Sequence, residues 1–212
     1  MKKVILSLVV IASVLTACKG EKKEEVAVKE EVKVVEVQEL KNNLDLDASV
    51  LTWKGTKPTG AHDGIVSLKE GNLTVENGVL TSGEFVIDMN SITNLDMKGS
   101  DGAGKLEGHL KNADFFDVEK YPTSKFTITS VAKGENVLNV TGNLTVKDVT
   151  KSITIPATVS ETDGVVTFKS EKFNINRADF NVKYGSKSFF DNLKDKFIND
   201  LMEMSFEVKT KA

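Results

Sequence analysis

The sequence predicts an all-β protein, a single closed antiparallel barrel of about eight strands with one or two short helices. Apolar and polar residues alternate over short segments, most regularly over residues 138–146. Two-residue turn signals, Asn77-Gly78 and Asp163-Gly164, separate such segments as they do in β-hairpins. Strands do not alternate with helices as they would in a parallel sheet. When antiparallel strands with one apolar face close into a barrel, the backbone N–H and C=O groups of the edge strands all find partners.

Residues 1–17 have the pattern of a lipoprotein signal peptide. Lys2 and Lys3 precede an apolar run over residues 4–14, which is too short to span a bilayer comfortably. The run leads into the tetrapeptide LTAC, whose Cys18 is the only cysteine among 212 residues. We predict that Cys18 is lipidated and that its acyl chains attach the protein to a membrane. The alternative is an ordinary secretory signal with an incidental cysteine. A single cysteine excludes an intramolecular disulfide, and lipidation of Cys18 would also exclude a thiolate catalyst and a cysteine-based metal site.

Residues 18–43 comprise this cysteine and a charged linker in which Glu and Lys alternate with Val, without an aromatic residue or a proline. This composition favours a flexible, solvated spacer. The composition changes near Leu44, so we predict the barrel domain over residues 44–212, a length that can bury a core. The predicted location is the envelope of a Gram-negative-type bacterium, lipid-anchored and facing the periplasm or the outer-membrane surface.

Eight segments of the domain have the alternation or composition of strands. Gly71 interrupts the second and predicts a bulge or a change of direction there, and Pro156 predicts an edge or bulge position in the sixth. The predicted strands cover residues 50–54, 64–75, 79–89, 126–130, 138–146, 153–159, 165–170 and 202–208.

Three segments do not have a strand pattern. Residues 90–104 are polar and glycine-rich, which predicts a loop. Leu106, Leu110 and Ala113 share one helical face, and the Phe pair that follows predicts a connection that plugs an apolar space. Apolar residues at near-helical spacing over residues 184–200 are compatible with a capping helix at one end of the barrel, with a lid or mouth for an apolar ligand, or with both.

Four motifs in the same order resemble the YceI-like lipid-binding family. The first is the segment His109 to Pro122, which resembles the family's HLKS-x-DFFDV-x-x-YP with Asn112 in the serine position. The others are Trp53 with Gly60, His62 and Gly64; the run Gly142 to Lys151; and the run Ile175 to Phe180, similar to INR-x-DFG. Asp148 and Asn181 stand where the family commonly has glycine, and both residue types tolerate left-handed backbone.

The resemblance implies an elongated, lipocalin-like barrel that binds a long isoprenoid lipid, polyprenyl or quinone-like, in an internal cavity. It supplies no catalytic residues. A high phenylalanine content, eleven Phe against one Trp and two Tyr, is compatible with an apolar tunnel that binds a chain by burying it.

The candidate cavity residues are aromatic: Trp53, Phe85, Phe115, Phe116, Phe126, Phe180, Phe189 and Phe190. The candidate polar residues at the mouth are His62, Asn176, Arg177 and Asp179. For Arg177 and Asp179 we favour a structural ion pair or turn clamp over a role at the mouth, and plain core packing is the alternative for Phe115 and Phe116.

The favoured function is storage or transport of the lipid by an envelope lipoprotein. The alternative is a structural or interaction barrel filled by its own side chains. His62 and His109 lie in no metal or nucleophile motif, so we predict no catalysis, no metal and no cofactor. A net charge of −3 with interleaved Lys and Glu does not favour nucleic acid. The sequence leaves oligomeric state open.

Overall fold

The computed structural model describes residues 42–212. The predicted signal peptide, Cys18 and nearly all of the predicted linker lie outside these residues. The elements are β1 (Leu44–Lys57), β2 (Gly60–Glu76), β3 (Val79–Asn94), α1 (Asp101–Lys111), β4 (Thr123–Lys133), β5 (Leu138–Val146), β6 (Val149–Thr162), β7 (Val165–Ser170), β8 (Phe173–Asn176) and β9 (Leu201–Thr210), with 3-10 turns at Arg177–Phe180 and Lys194–Lys196.

The strands form one antiparallel barrel, which confirms the predicted fold class. Each strand from β1 to β6 pairs with the next, and β9 pairs with both β7 and β1. The short strand β8 pairs with the start of β9, and β7 pairs with its end. Together β7 and β8 therefore occupy one of the eight strand positions around the barrel. The barrel therefore closes entirely within residues 44–210, and this segment holds a complete fold with its own core.

The predicted hairpin turns form as two-residue turns with left-handed backbone. Asn77 and Gly78 have φ of 52° and 77°, and Asp163 and Gly164 have φ of 52° and 79°. The turn between β5 and β6 also spans two residues, but its left-handed residue is Lys147, with φ of 56°, and not Asp148. Asn181 has φ of 57°, so an asparagine occupies left-handed backbone where the family commonly has glycine.

The barrel has a filled half and a hollow half. At the end that carries the Asn77-Gly78 and Asp163-Gly164 turns, the closed end, buried aliphatic side chains occupy the interior: Leu44, Leu73, Leu80, Val140 and Ala157, each at most 3% exposed. None of them borders the internal cavity, which lies towards the other end. A core filled by its own side chains therefore describes only the closed end.

Two glycines make room for aromatic side chains on neighbouring strands. A Cβ atom on Gly64 would lie 2.6 Å from the Trp53 ring and 1.9 Å from the Thr93 carbonyl oxygen. A Cβ atom on Gly142 would lie 2.4 Å from the Phe126 ring. Trp53 and Gly64 are paired across β1 and β2, and the absence of a side chain at Gly64 leaves room for the indole ring.

Replacing Gly64 with alanine is expected to destabilise the barrel by about 2 kcal/mol or more, because a backbone carbonyl cannot move aside as a side chain can. Gly55→Ala is the matched control, since nothing lies within 4 Å of a Cβ atom at Gly55 on the neighbouring strand β1. Urea denaturation of both variants measures the difference. Equal unfolding free energies would show that the space beside Trp53 is not limiting.

Two predicted features of the chain need correction. The polar segment over residues 90–104 is not a loop throughout, because β3 continues to Asn94 and α1 begins at Asp101. The segment over residues 184–200 contains no α-helix; its one regular turn is the 3-10 turn at Lys194–Lys196. Left-handed residues at Gly185, Asn192 and Lys194 interrupt any helix that the apolar spacing would support.

The structure has a bulge next to Gly71, and it places Pro156 where strand β6 lacks a partner on one side. The register between β2 and β3 shifts between Leu68 and Glu70, next to Gly71. Pro156 pairs with Asn139 of β5 without a register shift, so it is not at a bulge. Its carbonyl accepts a hydrogen bond from the Glu171 N–H just beyond the end of β7. The Pro156 nitrogen, which carries no hydrogen, therefore faces the gap between β7 and β8, so the sheet loses no backbone hydrogen bond there.

Candidate functional site

The hollow half of the barrel contains a cavity of about 460 Å³. Side chains from all nine strands, α1 and the segment before β9 line it, and most of them are apolar. Strand β9 contributes four side chains to the lining: Met202, Met204, Phe206 and Val208. The first and last of these are six residues apart, a distance of about 20 Å along a strand. The cavity is therefore long and narrow, and its volume lies in the range of small-molecule sites.

One end of the cavity is open and polar. Its lining there includes Lys54, Lys57 and Lys196, which are exposed to solvent, together with His62 and Asn199. These residues lie at the ends of β1 and β2 and in residues 181–200, which we call the mouth loop. The polar side chains are thus placed at the opening, and the walls below them are apolar.

Phenylalanine rings form the floor. The Phe85 ring centroid lies 5.8 Å from that of Phe168 and 6.4 Å from that of Phe126, and the Phe168 and Phe206 centroids are 4.7 Å apart. These four residues, the aromatic layer, separate the cavity from the aliphatic packing of the closed end. The layer sets how deep a ligand can reach.

Helix α1 and the Phe pair cover part of the open end. The Glu107 carboxylate accepts a hydrogen bond from the Asn94 N–H at 2.8 Å, which fixes α1 to the end of β3. After the helix, the Asn112 carbonyl accepts from the N–H groups of Phe115 and Asp117, and Asp117 adopts φ of 53°. This tight turn directs Phe115 inward, where it is 4% exposed, and both Phe115 and Phe116 line the cavity.

A buried arginine fastens the mouth loop to the barrel. Arg177 is 1% exposed and donates to the carbonyls of Val182, Ile198 and Asn199 at 2.7, 3.0 and 3.2 Å. Its guanidinium also lies 3.1 Å from the Asp200 carboxylate. Burial lowers the pKa of Arg177, and the Asp200 charge opposes this effect. Arg177 also lies 5.5 Å from the centre of the Phe115 ring and borders the cavity.

The structure separates the four predicted polar mouth residues into two groups. His62 and Arg177 line the cavity, but Asn176 and Asp179 do not. The Asn176 side chain instead accepts a hydrogen bond from the Ala178 N–H and caps the 3-10 turn. Arg177 has the structural role of an ion pair and clamp, and its charged partner is Asp200 and not Asp179.

The predicted aromatic set divides in a similar way. Six of its members line the cavity: Trp53, Phe85, Phe115, Phe116, Phe126 and Phe180. Phe189 and Phe190 do not; they are 42% and 49% exposed on the outside of the mouth loop. The helical spacing that placed them inside does not apply, because this segment is not helical.

Sequence reasoning missed several residues of the site. Phe168 and Phe206 complete the aromatic layer, and both occupy inward positions of strands that the alternation had located. His109 and Tyr184 lie at the opening with ring centroids 4.4 Å apart. Asp200 carried no sequence signal, because only the folded chain brings it to Arg177.

His62 forms a hydrogen bond with Asp96 at the rim of the opening. Its Nδ1 lies 2.9 Å from the Asp96 carboxylate, which also accepts from the Asp63 N–H and the Asn94 amide. The hydrogen bond from His62, with further bonds from Asp63 and Asn94, lowers the pKa of Asp96 to about 2, although partial desolvation acts in the opposite direction.

A depressed carboxylate pKa stabilises the fold above its ordinary value of 3.8, and the stabilisation is lost as the pH falls through about 2. We therefore expect Asp96→Asn to be less stable than the wild type above pH 3.8, with the difference shrinking at lower pH. Chemical denaturation over this range measures it, with the exposed Glu161→Gln as control. A difference that does not change with pH would contradict the assignment.

The described residues offer no assembled metal centre: among residues 42–212, no three His, Cys, Asp or Glu side chains are grouped to hold an ion. In the same range, α1 is too short and too polar to cross a membrane. What the site presents is a long apolar space with a polar opening, suited to an apolar chain with a polar end.

Comparison with known proteins gives the same architecture. The family model of the YceI-like domain matches residues 43–210. Protein YceI from Salmonella arizonae and from Salmonella newport are each 49% identical over 49 residues, 23% of this chain. That match spans about a quarter of the length of these relatives, 26%.

Solved structures share the fold at low identity. BcnA from Burkholderia cenocepacia matches with a TM-score of 0.63 and 23% identity, over 79% of this chain and 99% of that one. A polyisoprenoid-binding domain from Saccharophagus degradans, implicated in plant cell wall breakdown, matches with a TM-score of 0.59 and 19% identity, over 82% and 99%. The family match covers the whole barrel, and the chain belongs to the YceI-like family.

Proposed function

We propose that this protein binds a long apolar lipid of the isoprenoid type, polyprenyl or quinone-like, inside the barrel for storage or transport. The observation that carries the proposal is the cavity itself: about 460 Å³, long, apolar along its walls and polar at its opening. An apolar chain gains about 25 cal/mol for each Å² that it buries, before the costs of association.

The isoprenoid class draws support from one structural neighbour, the Saccharophagus degradans domain, which is described as polyisoprenoid-binding. In this chain, the aliphatic walls and the aromatic layer would contact the chain of the lipid. His62, Lys54, Lys57, Lys196 and Asn199 at the opening would face its polar end. The proposed role is binding without catalysis.

Native mass spectrometry of the purified barrel, residues 42–212, followed by lipid extraction, tests this function. The expected result is one lipid per chain, released as a prenyl chain or a quinone. If the expression host lacks the lipid, titration with polyprenyl and quinone ligands should restore one-to-one binding. Preference for straight fatty chains over prenyl chains would contradict the isoprenoid class, and failure to bind any of them would contradict the function.

The envelope location and the lipid anchor are supported by the sequence of residues 1–18. Acylation at Cys18 would hold the chain on a membrane close to its lipid supply. We expect Cys18→Ala, expressed with its own signal, to lose incorporation of labelled fatty acid and to leave the membrane fraction in a high-salt wash, which also releases peripherally docked protein. Labelled fatty acid on the variant would contradict attachment through this residue.

A further inference from the structure

The outer surface of the mouth loop carries an exposed apolar patch. Phe189 and Phe190 are 42% and 49% exposed, and Tyr184 beside them is 43% exposed. Two other large apolar side chains of the loop, Leu193 and Phe197, are half-buried. Exposed apolar clusters of this kind on a protein surface indicate sites of contact with another molecule or with a membrane.

The patch is held in place and is not a loose loop. Ser186 is fully buried, and its hydroxyl donates to the Asp200 carboxylate at 2.8 Å. The Ser186 carbonyl accepts from the N–H groups of Phe189 and Phe190, at 3.2 and 3.0 Å. Asp200 is in turn the charged partner of Arg177. The two phenylalanines are therefore presented outward by the same network that fastens the mouth loop.

Lysines surround this patch. The mouth loop carries Lys183, Lys187, Lys194 and Lys196 against Asp191, Asp195 and Asp200, whereas the whole chain has a net charge of −3. Of these aspartates, Asp200 is already paired with the buried Arg177. The Lys187 ammonium lies 3.5 Å from the centre of the Phe197 ring, and that of Lys183 lies 4.9 Å from the Phe189 ring. Long lysine side chains can cover apolar rings in water and extend to lipid head groups at a bilayer.

We propose that the mouth loop docks on an anionic lipid bilayer, with Phe189 and Phe190 inserted at the interface and the surrounding lysines on the head groups. Aromatic residues favour the interfacial region of a bilayer, and basic residues near it are attracted to anionic lipids. The patch lies beside the opening: Tyr184 and Lys196 belong to the loop and also line the cavity. Docking would therefore place the open end of the cavity against the membrane that supplies its lipid, a role that rests on the proposed function.

The geometry of the chain permits this orientation even though β1 begins at the closed end. Residues 18–43 number 26, and at full extension they can span at most about 90 Å. The longest strand that reaches from the closed end to the opening, β2, has 17 residues and spans about 55 Å. An anchor at Cys18 would thus allow the opening to face the same membrane.

Vesicle flotation of residues 42–212 tests the proposal, using phosphatidylcholine vesicles with and without phosphatidylglycerol. The expected partition onto anionic vesicles is at least about tenfold stronger than onto neutral ones, and it should weaken with salt. The double variant Phe189→Ser/Phe190→Ser should lose at least about tenfold in partition. Val79→Ser is the matched control, since Val79 is 58% exposed at the closed end.

A second readout separates docking from lipid binding. The double serine variant should bind a prenyl lipid supplied in detergent as the wild type does, and should extract it from vesicles at least about tenfold more slowly. A wild type that binds the lipid but floats with neither vesicle overturns membrane docking and leaves the proposed function standing. A wild type that floats but binds no lipid supports docking and overturns the proposed function. Loss of flotation in Val79→Ser as well as in the double variant would also overturn the assigned surface.

Discussion

Ile87→Trp is expected to abolish lipid binding while leaving the barrel folded. Ile87 faces the cavity at mid-height on β3, and its cross-strand neighbours Leu68 and Ser124 also line the cavity. An indole placed there would occupy the space of the ligand. A buried Trp covers about 200 Å² of apolar surface, which at about 25 cal/mol per Å² corresponds to about 5 kcal/mol of lost ligand burial. We expect affinity to fall at least about a hundredfold.

The ligand-free stability of this variant distinguishes a cavity from a packed core. Overpacking a filled core costs about 1–3 kcal/mol, whereas filling an empty space costs little. Thermal unfolding of ligand-free Ile87→Trp should therefore match the wild type. Ser82→Trp, at an exposed position of the same strand, is the control and should bind lipid normally. Strong destabilisation without loss of binding would contradict the assignment of the cavity.

Arg177→Met should have the largest effect on stability. The substitution removes a fully buried cation, leaves three carbonyls without their donor and takes away the charged partner of Asp200, to which the Ser186 hydroxyl still donates. Breaking a buried charge pair from one side costs about 3–5 kcal/mol. The mouth loop should loosen at the same time, so bound lipid should dissociate faster. Denaturation and ligand-exchange kinetics measure the two effects.

Two further variants define the cause. Arg177→Lys keeps the charge but cannot reach three carbonyls with a planar fork, so it should recover only part of the lost stability. Asp179→Asn alters a carboxylate outside the cavity lining and should stay within about 0.5 kcal/mol of the wild type. An Arg177→Met protein of wild-type stability would show that this network does not hold the mouth loop.

The barrel was predictable because its strands carry local signals. Alternation located the inward positions of β5, and the Asn77-Gly78 and Asp163-Gly164 pairs fixed two hairpins. The inward aromatic residues Phe85 and Phe126 follow from the same period-two pattern. These features depend on neighbouring residues, so the sequence alone contains them.

The open end was harder to predict because its order comes from tertiary contacts. The apolar spacing over residues 184–200 favoured a helix, but the segment is shaped by the Ser186, Asp200 and Arg177 network and by left-handed backbone at Asn192 and Lys194. Phe189 and Phe190 therefore point outward. The choice of Asp200 over the nearby Asp179 as the partner of Arg177 likewise depends on the folded chain.

The most direct test of the central claim uses Trp53, the sole tryptophan, which lines the cavity. Titration of residues 42–212 with a quinone-bearing prenyl lipid should quench Trp53 fluorescence saturably at one ligand per chain. The same titration should leave Ile87→Trp/Trp53→Phe, whose only indole fills the cavity, without saturable quenching. Unsaturable quenching of the wild type, equal to that of free tryptophan in the same solution, would contradict a lipid-binding cavity.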